Sequence, residues 1–173
     1  MKKKRPENPS LRPIGARALT SAGDTLRPLL PGARVLELFA GQGRFGLMAL
    51  EEGAAWVSFV EKDLRTAQAL RKSLPPDALA RVFIDDAMVW CKPDGEPLFD
   101  IVFADPPFPL WEAGFDRALA ACVKTKLAPE SIFLVKGPTR MLPSGPFPGL
   151  SFWKHSKFGE STLSYFRRAT EDE

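Results

Sequence analysis

The amino-acid sequence predicts an α/β fold with a mostly parallel, doubly wound sheet of seven strands. Apolar strand patterns alternate with helix patterns between residues 34 and 135, which is the order expected for a parallel sheet. A glycine-rich turn follows the first strand, and the last two strands, joined by a tight turn, indicate an antiparallel hairpin. With 173 residues, 45% of them hydrophobic, the chain is long enough for one domain with its own core.

The elements follow one another along the chain with clear boundaries. Two pairs of prolines mark an end: 75–76 stop a helix, and 106–107 stop a strand because proline offers no N–H to the ladder. The predicted helices are 16–30, 45–52, 64–74, 88–91 and 114–126. The predicted strands are 34–39, 56–60, 81–84, 98–104, 132–135, 150–157 and 162–168. A parallel sheet closed by such a hairpin is typical of Rossmann-like class I S-adenosylmethionine-dependent methyltransferases.

The termini differ from the body of the chain in charge. We predict a flexible basic arm at 1–13, a single domain at 14–169 and an acidic tail at 170–173. The first 17 residues carry six basic side chains and one acidic side chain, against a net charge of +3 for the whole chain. A polyanionic partner and a merely solvated tail both remain open from charge alone. The basic residues are Lys2, Lys3, Lys4, Arg5, Arg12 and Arg17.

Composition argues against several classes of protein. Cys91, Cys122 and His155 are too few and too widely spaced for a metal site, so we expect none and predict reduced cysteines. No apolar run approaches the roughly 18 residues of a membrane span. The basic start lacks the apolar segment of a secretory signal. We therefore expect a cytoplasmic protein without a membrane contact.

The glycine-rich turn predicts a nucleotide-type cofactor. Gly41, Gly43 and Gly46 match the dinucleotide-binding spacing, in which glycines allow a tight turn and close ligand approach. Glu61 follows 20 residues after Gly41 at the end of the next strand, where an acid contacts a ribose hydroxyl. NAD and S-adenosylmethionine both fit these features.

Two further acids favour S-adenosylmethionine over NAD. Glu37 lies near the end of the first strand, where its charge would repel a pyrophosphate but attract the ammonium of a methionine moiety. Asp86 and Ala87 follow the third strand, where an acid can accept a hydrogen bond from an adenine amino group. A helix N-cap is the alternative function of Asp86.

The stretch Asp105, Pro106, Pro107 and Phe108 follows the fourth strand and predicts amino methylation. An acid and a proline-flanked carbonyl would accept both N–H groups of an exocyclic amine, and the aromatic ring would stack on the base. The prolines would hold these acceptors fixed. The nitrogen lone pair would then be directed at the methyl sulfonium.

These motifs together resemble the RsmD-like bacterial 16S rRNA (guanine-N2) methyltransferases. The similar segments are "LRP", "ELFAGQGRFGLMALEEGA", "VEKD", "DDA", "DPPF" and "KFGESTLSYFRR". The resemblance implies S-adenosylmethionine as cofactor, methyl transfer to the N2 of a guanine, and 16S rRNA or a small-subunit assembly particle as partner. It also adds Phe39, Lys62 and Asp105 to the cofactor-binding residues.

The chain departs from the family pattern in two places. Its basic N-terminal segment is short, and Lys136 ends the fifth strand where members often carry glutamate. We expect Lys136 to contact RNA, and we expect a monomer. Two alternatives remain open: an amino methyltransferase acting on DNA adenine or a small molecule, and a catalytically silent RNA-binding or assembly protein.

Overall fold

The computed structural model describes residues 14–91, 98–111, 114–143 and 145–168. The predicted arm and acidic tail lie outside these residues. The helices are α1 (Ala16–Leu26), α2 (Arg44–Glu51), α3 (Leu64–Ser73), α4 (Ala87–Trp90) and α5 (Phe115–Lys124). The strands are β1 (Arg34–Leu38), β2 (Trp56–Val60), β3 (Ala80–Phe83), β4 (Phe99–Ala104), β5 (Leu127–Pro138), β6 (Leu150–Phe158) and β7 (Ser161–Arg168).

All seven strands form one sheet in the order β3-β2-β1-β4-β5-β7-β6. The strands from β1 to β5 pair in parallel, whereas β7 is antiparallel to both β5 and β6. The predicted fold class is thereby confirmed. The sheet continues from β1 through β2 on one side and through β4 on the other. A crevice opens where the strand order reverses in this way, at the carboxyl ends of these strands, and open α/β sheets bind ligands there.

Apolar side chains cover both faces of the sheet, because successive residues of a strand point to opposite sides. Val35 packs in the cluster that includes Leu26 of α1 and Phe45 of α2. Its neighbour Leu36 packs in the opposite cluster, which includes Leu119 of α5. The two helical layers hold the strand ends in place around the crevice.

The largest difference from the predicted elements is the length of β5, which spans 12 residues and which we expected only at 132–135. Its first residue Leu127 pairs with Phe99 of β4, and its last residue Pro138 pairs with Ser161 of β7. Exposed residues at 129–130, with a positive φ at Glu130, interrupt the apolar pattern and hide the start of the strand. The 3₁₀ turn Phe108–Leu110 was not predicted either.

Across the part of the chain that the structure describes, no helix combines the length and apolar character needed to span a membrane.

Candidate active site

The ends of β1, β2 and β4 open into a cavity of about 780 Å³. It is acidic in character, because acidic side chains at the ends of four strands line it: Glu37, Glu61, Asp85 and Asp105. The predicted site residues in its lining are Glu37, Phe39, Gly41, Glu61, Lys62, Ala87, Asp105 and Pro107. Those outside the lining are Gly43, Gly46, Asp86, Pro106 and Phe108.

The three glycines of the turn are required for different physical reasons. Gly41 has a φ of 54° and open space around the position of a Cβ, so its backbone faces the cavity. A Cβ on Gly43 would lie 2.5 Å from Leu70 Cδ1, and one on Gly46 would lie 2.3 Å from Phe59 Cε1. We expected all three to allow ligand approach. Instead, Gly43 and Gly46 let α2 pack closely on β2 and α3.

Glu61 fixes the glycine turn to the end of β2. Its Oε2 accepts a hydrogen bond of 2.8 Å from the Gly41 N–H, and its Oε1 accepts one of 2.8 Å from the Asp63 N–H. Each carboxylate oxygen has a second lone pair. The side chain can therefore accept a ligand hydroxyl while it still holds the turn. Lys62, the next residue, is exposed at the rim.

Glu37 is a buried acid at the end of β1, with 3% of its surface exposed. Its Oε2 accepts a 2.6 Å hydrogen bond from the Gly46 N–H in the first turn of α2. Burial raises the pKa of Glu37 to about 8, the Gly46 N–H opposes this rise, and the nearby Asp105 adds to it. Near neutral pH the side chain is therefore mainly a neutral acid, and a cation placed beside it would favour its ionised form.

The two neighbouring acids after β3, Asp85 and Asp86, have different functions. Asp86 caps α4, because its Oδ1 accepts a 2.9 Å hydrogen bond from the Met88 N–H. Asp85 and Ala87 line the cavity, and Asp85 also accepts a 2.8 Å hydrogen bond from the Asp86 N–H. The sequence indicated an acid at this strand end but assigned it to Asp86, and the structure places Asp85 at the cavity instead. Only the cap geometry distinguishes the two.

Asp105 forms an ion pair with Lys136. The Lys136 Nζ lies 2.8 Å from Asp105 Oδ1 and 3.1 Å from its Oδ2, and the side chains are 7% and 15% exposed. Burial raises the pKa of Asp105, and the Lys136 ammonium lowers it. The sequence predicted Lys136 as an RNA contact. The structure gives it a buried partner in the site, and this contact was not evident from the sequence because the two residues are 31 positions apart.

The proline pair presents Phe108 to the solvent. The Pro107 carbonyl accepts a 2.9 Å hydrogen bond from the Leu110 N–H, which forms the 3₁₀ turn. The Phe108 side chain is partly exposed, and the Lys136 Nζ lies 5.7 Å from its ring centroid. An acid, a cation and an aromatic face therefore meet beside the cavity.

The predicted RNA contacts lie elsewhere. Arg17 is exposed on α1, on a shallow depression separate from the cavity lining. Lys2, Lys3, Lys4, Arg5 and Arg12 lie outside the described residues. Their contacts with RNA stay predictions.

Comparison with known proteins matches residues 2–167 to the family described as "Conserved hypothetical protein 95". "Ribosomal RNA small subunit methyltransferase D" of Escherichia coli (strain K12) is 38% identical over 105 residues, which are 60% of this chain and 52% of that protein. The protein of the same name from Haemophilus influenzae is 36% identical over 103 residues, 57% of this chain and 53% of that protein. The chain thus spans about half the length of these curated relatives.

A solved structure extends the similarity over nearly the whole fold. "Putative methyltransferase yhhF from Escherichia coli" superposes with a TM-score of 0.81 and 28% identity, covering 92% of this chain and 90% of that one. This likeness confirms the methyltransferase-type sheet with its C-terminal hairpin.

Proposed function

Because the chain belongs to the family described as conserved hypothetical protein 95, the RsmD-like family, we propose that it methylates the exocyclic N2 of a guanine in 16S rRNA. The observation that carries this proposal is the position of Asp105 at the end of β4, on the cavity and three residues before the exposed Phe108. The rRNA substrate is inferred from the names of the relatives. An rRNA substrate also fits the cytoplasm expected from the sequence.

The acidic side chains that line the cavity fit S-adenosylmethionine. Acidic side chains at three strand ends suit the hydroxyl, amino and ammonium groups of this cofactor. The ammonium would favour the ionised form of Glu37, whereas the pyrophosphate of NAD would gain nothing from this acid. We assign the ribose to Glu61, the adenine to Asp85 with Ala87, and the methionine ammonium to Glu37. When bound, S-adenosylmethionine would supply an electrophilic methyl group.

The chain's own residues would hold the accepting amine. Asp105 accepts one N–H of the guanine amino group, and its buried position keeps water from competing for that bond. The Pro107 carbonyl accepts the Leu110 N–H bond, and we assign the second acceptor to the Pro106 carbonyl, which directly follows Asp105 in the chain. Phe108 offers a face on which the guanine ring stacks. The nitrogen loses its proton readily once it carries the methyl group, so no strong base is required.

A methyl-transfer assay with tritiated S-adenosylmethionine tests the function. Small subunits, deproteinised 16S rRNA, total DNA and free nucleosides are offered as separate substrates, taken from cells that lack this protein. We expect label on 16S rRNA or the subunit, and nucleoside mapping should identify it as N2-methylguanosine. Label on DNA alone would favour the adenine alternative, and stable RNA binding without any transfer would favour the silent assembly protein.

A further inference from the structure

Lys136 is a buried charge that directly follows an apolar run in β5. It follows Phe133, Leu134 and Val135 and is 6% exposed, in a strand that has neighbours on both sides. Placing an ammonium in such a position costs desolvation energy, which only a well-made ion pair offsets. Sheet stability alone therefore gives no reason for a lysine here.

We propose that Lys136 is a positioning residue for methyl transfer: through its ion pair it keeps Asp105 ionised and oriented as the acceptor for the substrate amino group. The inference rests on the proposed function and extends it to a residue that does not line the cavity. Lys136 acts through Asp105 and is not itself a catalytic residue.

The ionisation argument follows from the groups that face Asp105. Burial favours its protonated form, Glu37 on β1 adds a second acid, and Lys136 on β5 supplies the opposing positive charge. Arg44, Glu61 and Asp85 line the same cavity from α2, β2 and the end of β3. A protonated Asp105 would present an O–H donor to an amine that needs an acceptor. The lysine therefore decides which form the substrate meets.

The orientation argument follows from the two contact distances. An ammonium within hydrogen-bond reach of both carboxylate oxygens, at 2.8 and 3.1 Å, restrains rotation of the carboxylate plane. The same ammonium lies 5.7 Å from the Phe108 ring centroid. One side chain thus contacts the acceptor and lies within cation–π range of the stacking face.

A positive charge near the reacting amine also has an opposing effect. The amine becomes positive as the methyl group arrives, and a nearby cation disfavours that state. Asp105 lines the cavity and Lys136 does not, so the carboxylate is the nearer charge. Because Coulomb energy falls with distance, the attraction to Asp105 outweighs the repulsion from Lys136.

The test compares single-turnover methyl transfer by the full chain between about pH 5.5 and about pH 9.5. The variants are Lys136→Met and Lys136→Gln, and Lys136→Arg retains a cation. Lys126→Met is the matched control, because Lys126 is also buried, at 1% exposed, but contacts the Trp90 ring on the other side of the sheet. Rates are divided by the folded fraction, measured by circular dichroism at each pH.

We expect the acid limb of the Lys136→Met and Lys136→Gln profiles to move to higher pH by at least one unit, so that activity at a given pH on this limb falls about tenfold and recovers at alkaline pH. Lys136→Arg and Lys126→Met should keep the limb of the unsubstituted protein. An acid limb that does not move in either Lys136→Met or Lys136→Gln would overturn the inference, because Asp105 would then ionise without the lysine. Wild-type protein that transfers no methyl group at any pH would instead overturn the proposed function. If Lys136→Met does not fold, Lys136→Gln decides, because it keeps a hydrogen-bond donor of similar length.

Discussion

Asp105 interacts with two other ionisable groups of the candidate site. It follows a buried strand, pairs with Lys136, and raises the pKa of the neighbouring Glu37. Its 15% side-chain exposure leaves it accessible from the cavity while the sheet covers the rest. A group in such a position contributes most when charge develops beside it.

Asp105→Ala is expected to lower turnover by roughly 10²–10³, the scale of one preorganised electrostatic contact, because its acceptor bond strengthens as the amine becomes positive. Cofactor affinity should change little. The measurement is single-turnover transfer corrected for the folded fraction, with calorimetry of S-adenosylmethionine binding as control. Unchanged turnover per folded molecule would show that Asp105 merely ends β4.

Glu37 gives a prediction about stability and pH. Its pKa in the folded protein is about 8, against an ordinary value of 4.5. Between these values the folded state binds more protons than the unfolded state, so the free energy of unfolding falls as pH rises. The stabilising contribution is complete below 4.5 and is lost by about pH 8. The effect is on the order of a few kcal/mol.

Glu37→Gln should flatten this decline, because glutamine still accepts the Gly46 N–H bond but does not titrate. Urea unfolding at about pH 5 and about pH 8 measures the difference. The raised pKa of Asp105 acts in the same direction and Asp105 is still present in the variant, so the decline should become shallower without disappearing. Equal slopes in the two proteins would contradict the prediction.

At the scale of elements, the turn between β1 and α2 links packing to the site. Gly46→Ala is expected to destabilise the protein by about 1–3 kcal/mol, because its Cβ would overlap the Phe59 ring in a filled core. Gly41→Ala should cost about 1 kcal/mol through its positive φ alone, since the space around it is open. It should, however, weaken S-adenosylmethionine binding, because Gly41 lines the cavity.

Denaturant unfolding and calorimetric titration separate these two effects. The expected result is a large loss of stability for Gly46→Ala and a larger loss of affinity for Gly41→Ala. Reversal of that order would show that Gly41 has no part in the cofactor site and that α2 can shift away from β2.

Elements with local signals were predictable from the sequence, and those set by distant partners were not. Pro75 and Pro76 end α3 by their own chemistry, and the bounds of β2 follow from its apolar run. The length of β5 depends on pairing with β7, which begins 23 residues after β5 ends. The assignment of Asp86 required knowledge of where α4 starts. The contact between Lys136 and Asp105 required the order of the strands, because β4 and β5 bring the two side chains together.

At the scale of the whole molecule, positive charge is concentrated near the N-terminus of the sequence. Removal of residues 1–10 should weaken RNA affinity and reduce its dependence on salt, because each lost phosphate contact removes about one released counterion. Cofactor affinity should be unchanged. Filter binding over a salt series measures the slope, and a truncated chain in which Lys2, Lys3, Lys4 and Arg5 are restored on a neutral linker is the control. An unaltered slope would identify the arm as a solvated tail.

The two outer strands of the sheet have a consequence for self-association. β3 is only four residues long, whereas β6 has nine and offers a long row of backbone groups at the other edge. Such an edge can template the addition of a strand from a second molecule and start a fibre. The register shift between Phe152 and Lys154 interrupts that row, and the exposed Lys157 places a positive charge beside it. A second copy would bring the same positive charge to the contact, so the sheet resists growth at the edge where it is longest.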